Sequence, residues 1–140
     1  RSLGGEYGAT TGRPRRCGWF DLVAARYSVG VNGMTGVVIT KLDVLDSLES
    51  LKVATAYDVD GERLDDFPVR YDVVCRARPV LEELPGWQKP TGKARKLADL
   101  PAGARKYLEY LERRLGVLIV GVSVGKSREQ MIWTPTGVTT

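Results

Sequence analysis

Asp99-Leu100-Pro101-Ala102-Gly103-Ala104-Arg105-Lys106-Tyr107-Leu108-Glu109-Tyr110-Leu111-Glu112-Arg113-Arg114-Leu115-Gly116, followed at once by Val117-Leu118-Ile119-Val120-Gly121-Val122, decides the fold class. Ala104, Tyr107, Leu108, Leu111 and Leu115 fall at i, i+3, i+4, i+7 and i+11, which lines them up on one face of a helix. Asp99 is placed to cap that helix and Pro101 suits its first turn. Glu109 and Arg113 are spaced to pair on the wet side, and Gly116 stops the helix. Residues 117–122 are apolar and rich in β-branched types, so they predict a strand buried on both faces. Helix running directly into buried strand is the rhythm of an α/β protein.

The same logic extends outward. Val23, Ala24, Tyr27 and Val31 predict a helix over residues 21–31, ended by Asn32-Gly33. Residues 36–40 predict a buried strand, and residues 51–59 a second, with Asp60-Gly61 as its hairpin turn. Residues 62–95 are punctuated by Pro68, Pro79, Pro85 and Pro90 and read as loops and short elements. Leu84-Pro85-Gly86-Trp87 reads as a packed turn with an anchoring aromatic, and Met131-Ile132-Trp133 as a last strand. With 140 residues, 43% hydrophobic and 27% charged, the chain is one soluble globular domain's worth. Its net charge of +4 suits small anions as well as nucleic acid. There is no histidine, which excludes a zinc triad or a Ser-His or Cys-His pair built from this chain. Cys17 and Cys75 lack metal spacing. No apolar run is long enough to span a membrane as a helix. A reducing, cytoplasmic location is expected. The glycine-rich start without a methionine reads as the middle of a longer protein.

Chemistry concentrates in Gly8-Ala9-Thr10-Thr11-Gly12-Arg13-Pro14-Arg15-Arg16-Cys17-Gly18-Trp19-Phe20-Asp21. The glycines let backbone approach a ligand closely, and Thr10 and Thr11 offer hydroxyls. Arg13, Arg15 and Arg16 present planar forks that match carboxylates and phosphates. By composition alone such a run reads as a solvated basic turn or a nucleic-acid patch. A second cluster, Thr40-Lys41-Leu42-Asp43-Val44-Leu45-Asp46, lies at the C-terminal end of the first predicted strand, where open α/β sheets bind ligands. A carboxylate there can accept from both N1–H and the exocyclic amine of guanine, and a lysine stem can cover the base. The cluster is similar to the guanine-reading N/T-K-x-D motif of GTPases. A third, Gly121-Val122-Ser123-Val124-Gly125-Lys126-Ser127, imitates a phosphate loop, but the pattern needs four residues between its glycines and here there are three.

Residues 6–21 closely resemble the aspartate-binding loop of the adenylosuccinate synthetase family, and residues 40–46 resemble its guanine segment. Ser123 and Gly125 match the family's Ser-x-Gly loop, which contacts the guanine base. The family continues Gly-Pro-Asp-Arg, where this chain has Gly125-Lys126-Ser127-Arg128. Pro85-Gly86-Trp87 and residues 101–107 also fit. The resemblance implies that residues 1–140 are the C-terminal portion of a larger α/β GTP-dependent ligase domain, a mixed sheet with flanking helices. The larger N-terminal part would carry the phosphate loop, the catalytic aspartate and histidine, and the Mg²⁺ contacts, leaving no catalytic residue and no metal ligand here. The implied reaction joins L-aspartate to IMP with GTP, giving adenylosuccinate, GDP and phosphate in purine nucleotide biosynthesis. The family first phosphorylates the 6-oxygen of IMP and then displaces that phosphate with the aspartate amine. Ala9, Thr10, Thr11, Gly12, Arg13, Pro14 and Arg15 would form the aspartate loop (residues 8–16), with Arg13 bridging toward IMP and Arg15 near the GTP phosphates. Lys41, Leu42, Asp43, Ser123, Val124 and Gly125 would build the guanine pocket from residues 40–46 and 121–125. The implied full-length enzyme is a homodimer that binds neither nucleic acid nor membrane. The competing expectation is a small nucleotide- or RNA-binding module using the basic patch of Arg13, Arg15 and Arg16.

Overall fold

A computed structural model describes residues 1–139. Its elements run β1 (Phe20–Asp21), α1 (Leu22–Asn32), β2 (Gly36–Ile39), β3 (Ser50–Val59), β4 (Glu62–Leu64), α2 (Tyr71–Val74), β5 (Arg78–Pro85), α3 (Ala102–Leu115), β6 (Leu118–Ser123) and β7 (Met131–Trp133). Two mixed sheets result. In one, β3 pairs parallel with β1 and antiparallel with β4 and β5. In the other, β6 pairs parallel with β2 and antiparallel with β7. The register of β2 on β6 shifts between Val37 and Val38, whose partners are Ile119 and Gly121. The mixed α/β architecture expected from the sequence is present.

One buried cluster joins both sheets through α3. Ala104, Tyr107, Leu108, Leu111 and Leu115 are all buried there with Leu22, Leu42, Leu51, Val53, Ile119, Val122 and Ile132. The stripe read from the sequence is therefore the core face. Two of its local details differ. Pro101 itself occupies the N-cap position of α3 without a side-chain cap, whereas Asp99 accepts from the backbone N–H groups of Arg95 and Lys96 in the preceding 3₁₀ turn. Glu109 and Arg113 do approach, at 3.9 Å, across an exposed face.

Asp21 caps α1, accepting from the Ala24 N–H at 2.9 Å and from the Tyr57 hydroxyl at 2.5 Å, which ties the helix to β3. Gly33 closes the helix in the left-handed conformation. Of the apolar stripe expected on α1, Val23 is buried, but Tyr27 stacks on Phe67 at the surface and Val31 is exposed. β6 carries fully buried residues at Ile119 and Val122, while Leu118 at its start is 42% exposed. β5 was hidden by its flanking prolines. Pro79 and Pro85 sit opposite Tyr57 and Ser50 and bracket a long antiparallel pairing on β3.

Glu112 is the charged residue buried in α3. Its carboxylate accepts from the N–H groups of Ile119 (2.7 Å), Val138 (2.9 Å) and Thr139 (2.7 Å), stitching the tail to the start of β6. Burial alone pushes this carboxyl up. The N–H donors outweigh it and hold the pKa below the usual glutamate value. Because the folded-state value is depressed, the stabilisation is present above the unfolded pKa and is lost as pH falls through the folded one. Glu112→Gln turns an amide NH₂ toward N–H donors and should cost about 2–3 kcal/mol. Urea unfolding at pH 7 checks this, and the gap between the two proteins should narrow in acid.

Candidate functional site

Residues 7–14 form a small antiparallel loop closed by a Tyr7–Pro14 bridge. Gly8 N–H donates to Arg13 O at 2.8 Å, Gly12 N–H to Gly8 O at 2.9 Å, and Arg15 N–H to Glu6 O at 2.9 Å. Gly12 has φ of 63°, a left-handed turn that favours glycine. The loop's other side chains stay in solvent: Ala9, Thr10, Thr11, Arg13, Arg15 and Arg16 are all exposed. Arg15 turns back to the loop base, its guanidinium 3.3 Å from the Glu6 carboxylate. Arg13 and Arg16 make no ion pair among the described residues. The run therefore does not present its three arginines as one equivalent patch.

The second cluster begins where β2 ends. Lys41 has φ of 60°, a left-handed conformation in a residue with a Cβ; such strain costs about 1–3 kcal/mol and concentrates at functional sites. Its N–H donates to Ser123 Oγ at 3.1 Å, which brings the end of β2 beside the end of β6. Its Nζ donates to Gly4 O at 2.8 Å and pairs with Glu6. Leu42 is fully buried and opens a 3₁₀ turn, Leu42–Leu45. Asp43 Oδ1 is enclosed with no hydrogen-bond partner among the described residues. Enclosed carboxylate oxygens are normally paired, so an open one calls for an explanation.

The third cluster joins the second. Val124 is buried, and its N–H donates to Gln130 O at 2.9 Å. Gly125 lies so close to the Gln130 side chain that a Cβ would sit 2.2 Å from its amide carbon. Ser127 leads into a three-residue 3₁₀ turn and then β7, not into a long helix, so there is no helix N-terminus of the kind a phosphate loop needs. At the position of the Lys126-Ser127-Arg128 departure, Ser127 N–H donates to Gln130 Oε1 at 3.1 Å.

Several residues outside the predicted set position these segments. Asp46 accepts from Trp87 Nε1 at 2.8 Å, Thr91 N–H at 2.7 Å and Thr91 Oγ1 at 2.9 Å, anchoring the end of the 40–46 segment. Gly86 is needed there, since a Cβ would lie 1.9 Å from Leu48 O. Gln130 Nε2 reaches Gly92 O at 3.0 Å. Each anchor bridges dozens of residues of sequence, so only Asp46, within its motif, carried any local signal. A cleft of about 390 Å³ lies beside the second cluster, bounded by Glu6, Trp19, Phe20, Ile39, Lys41 and Tyr107. Among the described residues no three His, Cys, Asp or Glu side chains converge as a metal site, and no helix is long and apolar enough to cross a membrane.

Comparison with known proteins gives one answer. The family model described as adenylosuccinate synthetase matches residues 1–132. The adenylosuccinate synthetase of Aquifex aeolicus is 52% identical over 133 residues, covering 95% of this chain and 31% of that protein. That of Geotalea daltonii is 51% identical over 132 residues, covering 94% and 31%. Among solved structures, fully ligated adenylosuccinate synthetase from Plasmodium falciparum superposes with a TM-score of 0.90 at 36% identity, over 96% of this chain and 32% of that one. The chain thus spans about a third of the length of the curated relatives it matches.

Proposed function

This chain belongs to the adenylosuccinate synthetase family, and from that premise we propose that it supplies the guanine pocket and aspartate loop of a ligase in purine nucleotide biosynthesis. The reaction proposed is the GTP-dependent joining of L-aspartate to IMP, giving adenylosuccinate, GDP and phosphate. The observation that carries the reading is the Lys41–Ser123 hydrogen bond, which brings together two clusters 82 residues apart, with the enclosed Asp43 carboxylate oxygen, unpartnered among the described residues, in the same segment as Lys41.

Each segment has a chemical task in this reading. Asp43 accepts from guanine N1–H and the 2-amino group. Lys41 covers the base with its stem, and Leu42, Ser123, Val124 and Gly125 shape the pocket. Thr10 and Thr11, with Ala9, Gly12 and Pro14 framing them, hold the aspartate carboxylates. Arg13 spans toward IMP, and Arg15 supplies positive charge toward the nucleotide phosphates, where it offsets charge developing during transfer. Mg²⁺ is the expected partner of the GTP phosphates. The described residues offer it no converging set of His, Cys, Asp or Glu ligands. Cytoplasmic location and a homodimeric full-length enzyme follow from the same reading. The basic-patch alternative is less well supported, because the family matched over residues 1–132 is a synthetase and not a nucleic-acid-binding module.

The test compares two proteins. A full-length enzyme carrying this segment should form adenylosuccinate from GTP, IMP, L-aspartate and Mg²⁺, followed by its absorbance. The 140-residue segment alone should form none. A full-length protein that binds RNA with steep salt dependence and ignores GTP would overturn the reading.

A further inference from the structure

Glu6 stands at the base of the arginine loop and touches both halves of the site. Its backbone carbonyl accepts the Arg15 N–H at 2.9 Å. One carboxylate oxygen lies 3.3 Å from Arg15 Nη1, and the other pairs with Lys41 Nζ. The Glu6 side chain is only a quarter exposed, while Arg15 and Lys41 are about half exposed. Lys41 is further held by Gly4 O and, through its backbone, by Ser123. A single carboxylate therefore connects the strained lysine of the guanine segment to the arginine two residues beyond Arg13. Its carboxyl is held below the usual glutamate range, first by the Lys41 hydrogen bond and also by Arg15, so it is ionised throughout the neutral range.

We propose that Glu6 is a positioning residue that couples the guanine pocket to the aspartate loop, so that occupancy of one orders the other. The inference rests on the functional reading above. A guanine base that fixes the Lys41 stem fixes the Glu6 carboxylate, and the carboxylate fixes Arg15 and with it the C-terminal side of the loop. In the reverse direction, a dicarboxylate that orders the loop presents Arg15 to Glu6 and leaves Lys41 fewer orientations. Binding free energies coupled in this way are reciprocal. Exposed ion pairs contribute little to stability by themselves, so the effect of Glu6 should be read in coupling and not in folding.

The experiment is equilibrium titration of the full-length enzyme, saturated with IMP, with GDP in the absence and presence of L-aspartate. In the unmodified protein aspartate should tighten GDP by about fivefold or more, the lower end of typical couplings. In Glu6→Gln the ratio should fall to near one while IMP affinity stays unchanged. Adding Glu6→Gln to Arg15→Leu should cause no further loss of coupling, because the carboxylate then has only one partner. A ratio that survives in Glu6→Gln overturns the proposal while leaving the guanine assignment standing. IMP affinity falling in parallel also overturns it, marking Glu6 as merely structural. Failure of the unmodified protein to bind GDP at all would instead bring down the functional reading on which the proposal rests.

Discussion

Asp43→Asn in the full-length enzyme is expected to lower kcat/KM for GTP by roughly 30- to 150-fold, the equivalent of about 2–3 kcal/mol lost from hydrogen bonds to a charged group. The carboxylate would accept two N–H donors from guanine, and the amide can accept only one while turning its NH₂ toward the other. Asp43 Oδ1 has no partner among the described residues, so no protein group competes for that lone pair. The loss should fall on GTP and spare IMP and aspartate. Xanthosine triphosphate supplies the diagnostic contrast, since its 2-oxo group calls for a donor. The asparagine variant should use it better than the unmodified enzyme does. Unchanged kinetics with GTP would remove Asp43 from the pocket.

Arg13→Leu and Arg15→Leu should separate in the steady-state parameters. Residues two apart lie on the same side of an ideal extended strand, but in this loop the two arginines have different surroundings. Arg15 is turned to Glu6 and the guanine segment, whereas Arg13 is paired to no carboxylate among the described residues. Arg15→Leu should lower kcat by about 100-fold or more, the usual scale for losing one fixed charge that stabilises a transition state. Arg13→Leu should act mainly on KM for aspartate and IMP. Leucine keeps part of the stem's bulk and removes the fork, and both positions are exposed, so folding should be preserved. Equal damage from Arg16→Leu, or a uniform loss of stability in all three, would return the run to a structural turn.

The α/β class, the core face of α3, the α1 terminus at Gly33 and the β3–β4 turn at Asp60-Gly61 were legible in the order of the residues alone. These depend on periodicity and on turn residues whose preferences act within a few positions. The candidate clusters were legible as well, because residues 8–21 and 40–46 hold their polar and charged groups contiguously. The remaining features depend on long-range contacts. β5 escaped because a strand with bracketing prolines and exposed glutamates is recognisable only from the partner that pairs with it. The exposure of Tyr27, Val31 and Leu118 escaped because periodicity identifies a face but not what lies against it. The Lys41–Ser123 and Asp46–Thr91 bonds and the Glu6 bridge span 82, 45 and 35 residues. Such contacts arise only once segments distant in sequence fold together, as where β2 pairs with β6. Their strength depends on distances of about 3 Å that no spacing along the chain encodes.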